Sequence, residues 1–135
     1  MVTRLISDPT TLLATMDPEL HDGVYVYASV PADHDLTAVA FIAAVREREG
    51  TTVIVPEHEA QRAGLPVVFR AAWITLTVDS QLTDIGLTAA FAGVLGDAGI
   101  SCNVVAGVHH DHIFVPVERA GDAMRALGAG DREAT

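Results

Sequence analysis

The strongest constraint lies in the second half of the chain, where the spacing of apolar residues changes period within a few positions. Residues 73–78 alternate Ile74, Leu76 and Val78 with Trp73, Thr75 and Thr77, as a strand does when one face is core and the other half-covered. After a polar segment at 79–84, Leu87, Ala90, Phe91, Val94, Leu95 and Ala98 recur at intervals of three and four. That spacing draws one apolar stripe along a helix, with Gly99 as its C-cap. Residues 100–106 and 111–117 then read as two strands joined by Gly107, Val108, His109 and His110, ahead of a last helix carrying Ala120, Ala123, Met124 and Leu127. Strand, helix, strand, strand, helix is the core of a split βαβ or ferredoxin-like α+β unit, and a further edge strand would complete four.

The first half carries a shorter version of the same pattern. Asp8 and Pro9 open a helix over 8–16 that Pro18 stops, and His21, Asp22 and Gly23 turn the chain into a strand at 24–30 closed by Pro31. Residues 38–45 could be a short helix or a buried extended piece, with helix the expectation, ahead of the charged run 46–49 and Gly50, followed by a strand at 51–55 and a short helix at 56–63 that Gly64 ends. Val53, Val55, Pro56, Ala60 and Ala63 align with Ile113, Val115, Pro116, Ala120 and Ala123 at a constant offset. Strand lengths imply that the first copy lacks one element. The expected organisation is two modules in tandem, 1–70 abridged and 71–135 complete, with a frayed tail at 129–135.

Composition narrows the function. Eight basic against 18 acidic side chains leave a net charge of −10, so the chain has no basic stripe for nucleic acid or for an anionic membrane surface. No apolar run approaches the length needed to cross a bilayer, and the N-terminus lacks a signal-peptide pattern, so the expectation is a cytoplasmic protein. Cys102 is the only cysteine, which excludes an intramolecular disulfide and a cysteine-rich zinc site. It reads as a buried, inert thiol. Ser80 lacks a nucleophile elbow, and the chain has neither a P-loop nor a dinucleotide fingerprint, so no catalytic role and no cofactor are expected. Tyr25 and Tyr27 share a strand face, read as packing beneath a helix. His109, His110, Asp111 and His112 form the loudest local signal: the expected reading is a turn whose histidines donate to backbone carbonyls or sit half-exposed, with a pH-sensitive contact or, because His110 and His112 share a strand face, the start of a metal site needing a third ligand as alternatives.

Several ordered blocks carry a resemblance: residues 46–55 (REREGTTVIV), 73–80 (WITLTVDS), 85–90 (IGLTAA), 99–107 (GISCNVVAG) and 110–116 (HDHIFVP). Together they resemble a small bacterial family of standalone ACT-domain proteins. The resemblance implies two tandem ACT-type ferredoxin-like modules that bind a small effector, most often an amino acid, at a module or subunit interface, and regulate a separate protein, commonly as a homodimer. Val108 and His109 depart from the aromatic residues that the family often has ahead of its His-Asp-His block, which weakens a stacking role there. The ACT effector position maps onto Asp79, Ser80, Gln81, Asp84, Ile85, Gly86 and Leu87, with Asn103 and Val104 on the adjacent strand.

The chemistry of those residues suits a zwitterion. Asp79 or Asp84 could accept from an ammonium, while backbone N–H groups at 85–87 could receive a carboxylate at the opening of the helix. Gly86 would allow close approach, and the Asn103 amide could bond either end of the ligand. The competing structural reading has Asp84 or Thr83 capping the helix and Asn103 satisfying a backbone group. The alternative function is a metal-binding protein or metal-dependent enzyme built on His110 and His112.

Overall fold

The structure, a computed structural model, describes residues 16–78 and 86–128. The helix expected at 8–16 and the tail at 129–135 therefore lie outside the described residues, apart from Met16. The chain forms two compact units: Asp22–Ala72, and residues 16–21 together with the chain from Trp73 onward.

In the first unit, β2 (Tyr25–Val30), β3 (Ala43–Glu47), β4 (Gly50–Pro56) and the opening of β5 (Val67–Leu76) pair in the order β3-β4-β2-β5. The pairs β2/β4, β3/β4 and β2/β5 are antiparallel, with a bulge between Tyr27 and Ala28 against β5. Helix α1 (Glu57–Ala63) starts directly after Pro56, which cannot continue the ladder, and ends at Gly64 in the left-handed conformation with φ 67°. Alternate residues of β2 and β4 (Val26, Ala28, Val30, Val53, Val55) meet Ala60 and Leu65 in a buried cluster.

The helix expected at 38–45 is absent. Residues 31–42 are turns and coil, and Ala43–Glu47 is a strand paired with β4. Short apolar runs do not distinguish buried helix from strand, and here the hairpin decides. Gly50 takes φ 150° at its return, and a Cβ there would stand 2.5 Å from the Val30 carbonyl oxygen, so only glycine fits. The coil is held down from both ends of its chemistry. Leu36 and Val39 pack against the cluster, while the buried carboxylate of Glu59 accepts from the Ala40 amide at 2.9 Å and from Arg62 Nε at 3.0 Å. Arg62 also donates to the Ala38 carbonyl at 2.7 Å.

In the second unit, β1 (Pro18–Leu20), the last four residues of β5, β7 (Asp111–Pro116) and β6 (Asn103–Ala106) line up in the order β1-β5-β7-β6. β1 pairs antiparallel with β5, Leu20 opposite Ile74 and Pro18 opposite Leu76, and is the fourth strand that the sequence pattern lacked. It was hidden because Pro18 reads as a stop and three residues are too few to show a period. Where the sequence suggested a cut at residue 70, β1 groups with the chain from Trp73 onward. Helix α2 (Leu87–Asp97) buries Ala90, Phe91 and Leu95 of its predicted stripe. Gly99 (φ 75°) ends it, and Arg119 donates to the exposed carbonyls of Ala98 at 3.2 Å and Gly99 at 3.4 Å. After a 3-10 turn at Val117–Arg119, α3 (Ala120–Ala126) packs on β7, β1 and α2, with Ala123 and Leu127 buried. With β1 counted as the fourth strand of the second unit, both units share the 2-3-1-4 strand order of a ferredoxin-like sheet, and the first lacks its first helix.

Candidate functional site

The segment expected to hold an effector flanks the opening of α2. Asp79, Ser80, Gln81, Asp84 and Ile85 lie outside the described residues. Gly86 is the N-cap residue of α2, with φ 99° and ψ −24°, a left-handed conformation that favours glycine; Leu87 is the first helical residue, and both are half-buried. No acidic side chain stands in the first turn of α2, so the positive end of its dipole is not offset from within the helix.

Asn103 and Val104 sit side by side on β6. The Asn103 Nδ2 donates to the Phe114 carbonyl at 3.2 Å, so its amide is engaged with β7. Val104 is exposed, and with Ala106 also exposed the face expected to be apolar is not covered. The strand is shorter than expected, since 100–102 precede it. Cys102 is partly rather than fully buried, and that burial pushes its thiol above the ordinary range, keeping it protonated at neutral pH.

The histidines at 110 and 112 engage neighbouring protein groups. Among the described residues, no three of His, Cys, Asp and Glu come together as metal ligands. His110 precedes β7 and places Nδ1 at 3.3 Å from the Val78 carbonyl oxygen. His112, on β7, turns Nδ1 toward β5, where it meets Trp73 Nε1 at 3.1 Å and Thr75 Oγ1 at 3.0 Å. Thr75 in turn lies 2.7 Å from His21 Nε2, and the His21 ring stacks on the indole, centroids 3.6 Å apart and planes 9° from parallel. The Phe114 ring lies near-parallel to the indole, centroids 6.1 Å apart and planes 18° from parallel.

This cluster was only half legible beforehand. The alternation at 73–78 put Trp73 and Thr75 on one face, and His112 was singled out, but nothing local to the sequence brings His21 beside them. The indole can only donate, so His112 Nδ1 is its acceptor and the ring proton is assigned to Nε2. Burial first, then the positive potential of His110 and His21, push His112 below the ordinary imidazole range, against a smaller opposite effect from Asp111.

The first unit holds an open cleft of about 340 Å³ lined by Asp22, Tyr25, Pro56, Glu57, His58 and Gln61. Its polar groups are partly spoken for: Tyr25 donates to the Asp22 carbonyl at 2.9 Å, and Arg70 donates to Glu57 at 2.7 and 3.3 Å. That ion pair lowers the Glu57 carboxyl from its ordinary range. Tyr27 makes an edge contact with Phe69. No described helix is long and apolar enough to cross a membrane.

Comparison with known proteins agrees with this architecture. Family models described as ACT domain match residues 6–72 and 68–129. A Vibrio cholerae protein of unknown function, described as a possible transport protein, is 48% identical, with 89% of this chain and 93% of that one covered and a TM-score of 0.80. Two more distant structures share the fold. The Agrobacterium tumefaciens protein Atu0741 is 16% identical, covers 82% and 84%, and has a TM-score of 0.66. The regulatory subunit of aspartate kinase from Thermus flavus is 14% identical, covers 84% and 95%, and has a TM-score of 0.63. None of the curated proteins matches the sequence. Two family models that between them span nearly the whole chain, laid over two units of one strand order, make this chain a member of the ACT-domain family with two ACT domains in tandem.

Proposed function

We propose that the chain is a non-catalytic regulatory module that binds a small effector, an amino acid, at the opening of α2 in its second ACT domain. The observation that carries the reading is the tandem match to ACT domains, a family whose members bind small effectors. The local chemistry supports it. Gly86 brings no side chain of its own to the first backbone N–H groups of an 11-residue helix, and no carboxylate stands in that first turn. Asp79 and Asp84 are the proposed acceptors for the ammonium, and Asn103 and Val104 the neighbouring strand contacts. The effector shifts a population of conformers and is not consumed, and a separate cytoplasmic protein is the proposed regulated partner. A homodimer, with the edge strands of two copies side by side, is part of the same reading.

The test is a thermal-shift screen of the intact protein against each proteinogenic amino acid. A true effector at 100 times its dissociation constant stabilises the chain by about 2.7 kcal/mol, and Gly86→Val removes that gain. Melting curves that stay flat across the whole panel would refute amino-acid binding.

A further inference from the structure

We propose that His112 is a positioning residue whose neutral ring ties Trp73 and Thr75 of β5 to β7, and that gaining a proton at Nδ1 releases this tie at the strand end leading to residues 79–87. The tie stands on geometry. Nδ1 has a single in-plane lone pair, and it faces the indole N–H at 3.1 Å and the Thr75 hydroxyl at 3.0 Å. Thr75 can rotate its hydroxyl toward another acceptor. The indole cannot invert its polarity, so a protonated Nδ1 sets donor against donor at the one contact that cannot adapt. His21, stacked on that indole at 3.6 Å, and Phe114, near-parallel to it at 6.1 Å, limit how far the ring can move.

The surroundings favour the neutral ring. From the end of β1, His21 reaches Thr75; from the hairpin, His110 and Asp111 flank His112; Glu19, one strand further across, stands opposite Thr75; and β6 presents the uncharged Val105 opposite His112. Gly107 closes the hairpin over the other ring nitrogen. A Cβ there would lie 3.3 Å from His112 Nε2 and 2.9 Å from the His110 carbonyl oxygen, so the imidazole is seated close against the turn. Because the fold lowers the affinity of His112 for a proton, the stabilisation it provides is fully present above the ordinary value of 6.5. It is lost as pH falls below 6.5 and through the lower value of the folded protein.

The consequence for the strand end is direct. Beyond Thr75, Thr77 and Val78 donate their amides to Asp17 and Met16 at 3.2 Å each, and the Val78 carbonyl meets His110. These bonds fix the described end of the chain just before the proposed effector segment, so loosening β5 against β7 is expected to reach them. Only this last step rests on the effector reading; the tie itself does not.

The experiment follows the indole N–H resonance and emission of Trp73, the chain's only tryptophan, in the intact protein between about pH 8 and about pH 5. The resonance is expected to shift with a midpoint below 6.5. His112→Asn keeps an acceptor near the Nδ1 position without titrating there, and the transition should vanish; His21→Gln should retain it. Protection of the Thr77 and Val78 amides, corrected for intrinsic exchange, should fall across the same transition. A wild-type resonance that does not move, or a midpoint at or above 6.5, overturns the proposal without any variant. So does a transition that persists in His112→Asn or disappears in His21→Gln, and unchanged protection overturns the release. Neither readout uses an amino acid, so a flat thermal-shift screen would sink the effector reading and leave this one standing.

Discussion

The two ACT domains arrange their strands alike and cross between them differently. In the second, β5 and β6 are connected through an 11-residue helix whose Phe91 and Leu95 are fully buried. In the first, β2 and β3 are joined by coil that reaches the core with two half-buried side chains, Leu36 and Val39, and is fixed by one carboxylate. What a crossover must supply is apolar cover and satisfied backbone groups; a helix does both through its own ladder, whereas coil needs side chains from elsewhere to meet its amides. Glu59 and Arg62 meet that need from the neighbouring helix.

Substitutions can break this contrast or sharpen it. Phe91→Ala should cost about 3–5 kcal/mol in chemical denaturation, since a fully buried aromatic leaves a cavity. Leu36→Ala should cost well under half of that; equal losses would mean that the coil carries as much of its core as the helix does. Gly50→Ala drives a Cβ against the Val30 carbonyl and should cost about 1–3 kcal/mol through strain in the first unit.

Smaller still is the effect of Glu59→Gln, which should leave global stability nearly unchanged yet speed hydrogen exchange at the Ala40 amide. The same bond predicts a pH dependence. Arg62 first, then the Ala40 amide, hold the Glu59 carboxyl down at about 2 from 4.5. Its contribution is therefore full above 4.5 and lost as pH falls through about 2, so Ala40 should stay protected in mild acid and open only near that value. Loss of protection near 4.5 would contradict the clamp. The smallest expected change is Arg119→Gln, which uncaps the end of α2 for about 0.3–1 kcal/mol, an effect with no counterpart in the coil of the first unit.

Long periodic segments were readable and short ones were not. The stripe of α2, the alternation of residues 73–78 and the glycine after α1 each state their structure locally, because one helix face or one strand face dictates residue type at fixed intervals. Residues 38–45 are too few to separate the two periods, and their fate was settled by pairing with β4. β1 was illegible for the same reason. The polar site was less legible again: Asn103 faces a backbone carbonyl, a use that sequence allows but does not choose, and the partners of His112, Trp73 and Thr75, lie 39 and 37 positions away on β5. Spacing identified the histidine; only the fold identified what it holds.

The placement of β1 makes the second domain non-contiguous. His21 and Thr75, bonded at 2.7 Å, are 54 positions apart, with an entire domain of chain between them. During synthesis β1 leaves the ribosome early and has no partner until β5 follows, so the second sheet closes only after the intervening domain has been made. A gene fragment beginning at Trp73 would encode that domain without its border strand, and recombination could not transplant it whole without carrying the other along.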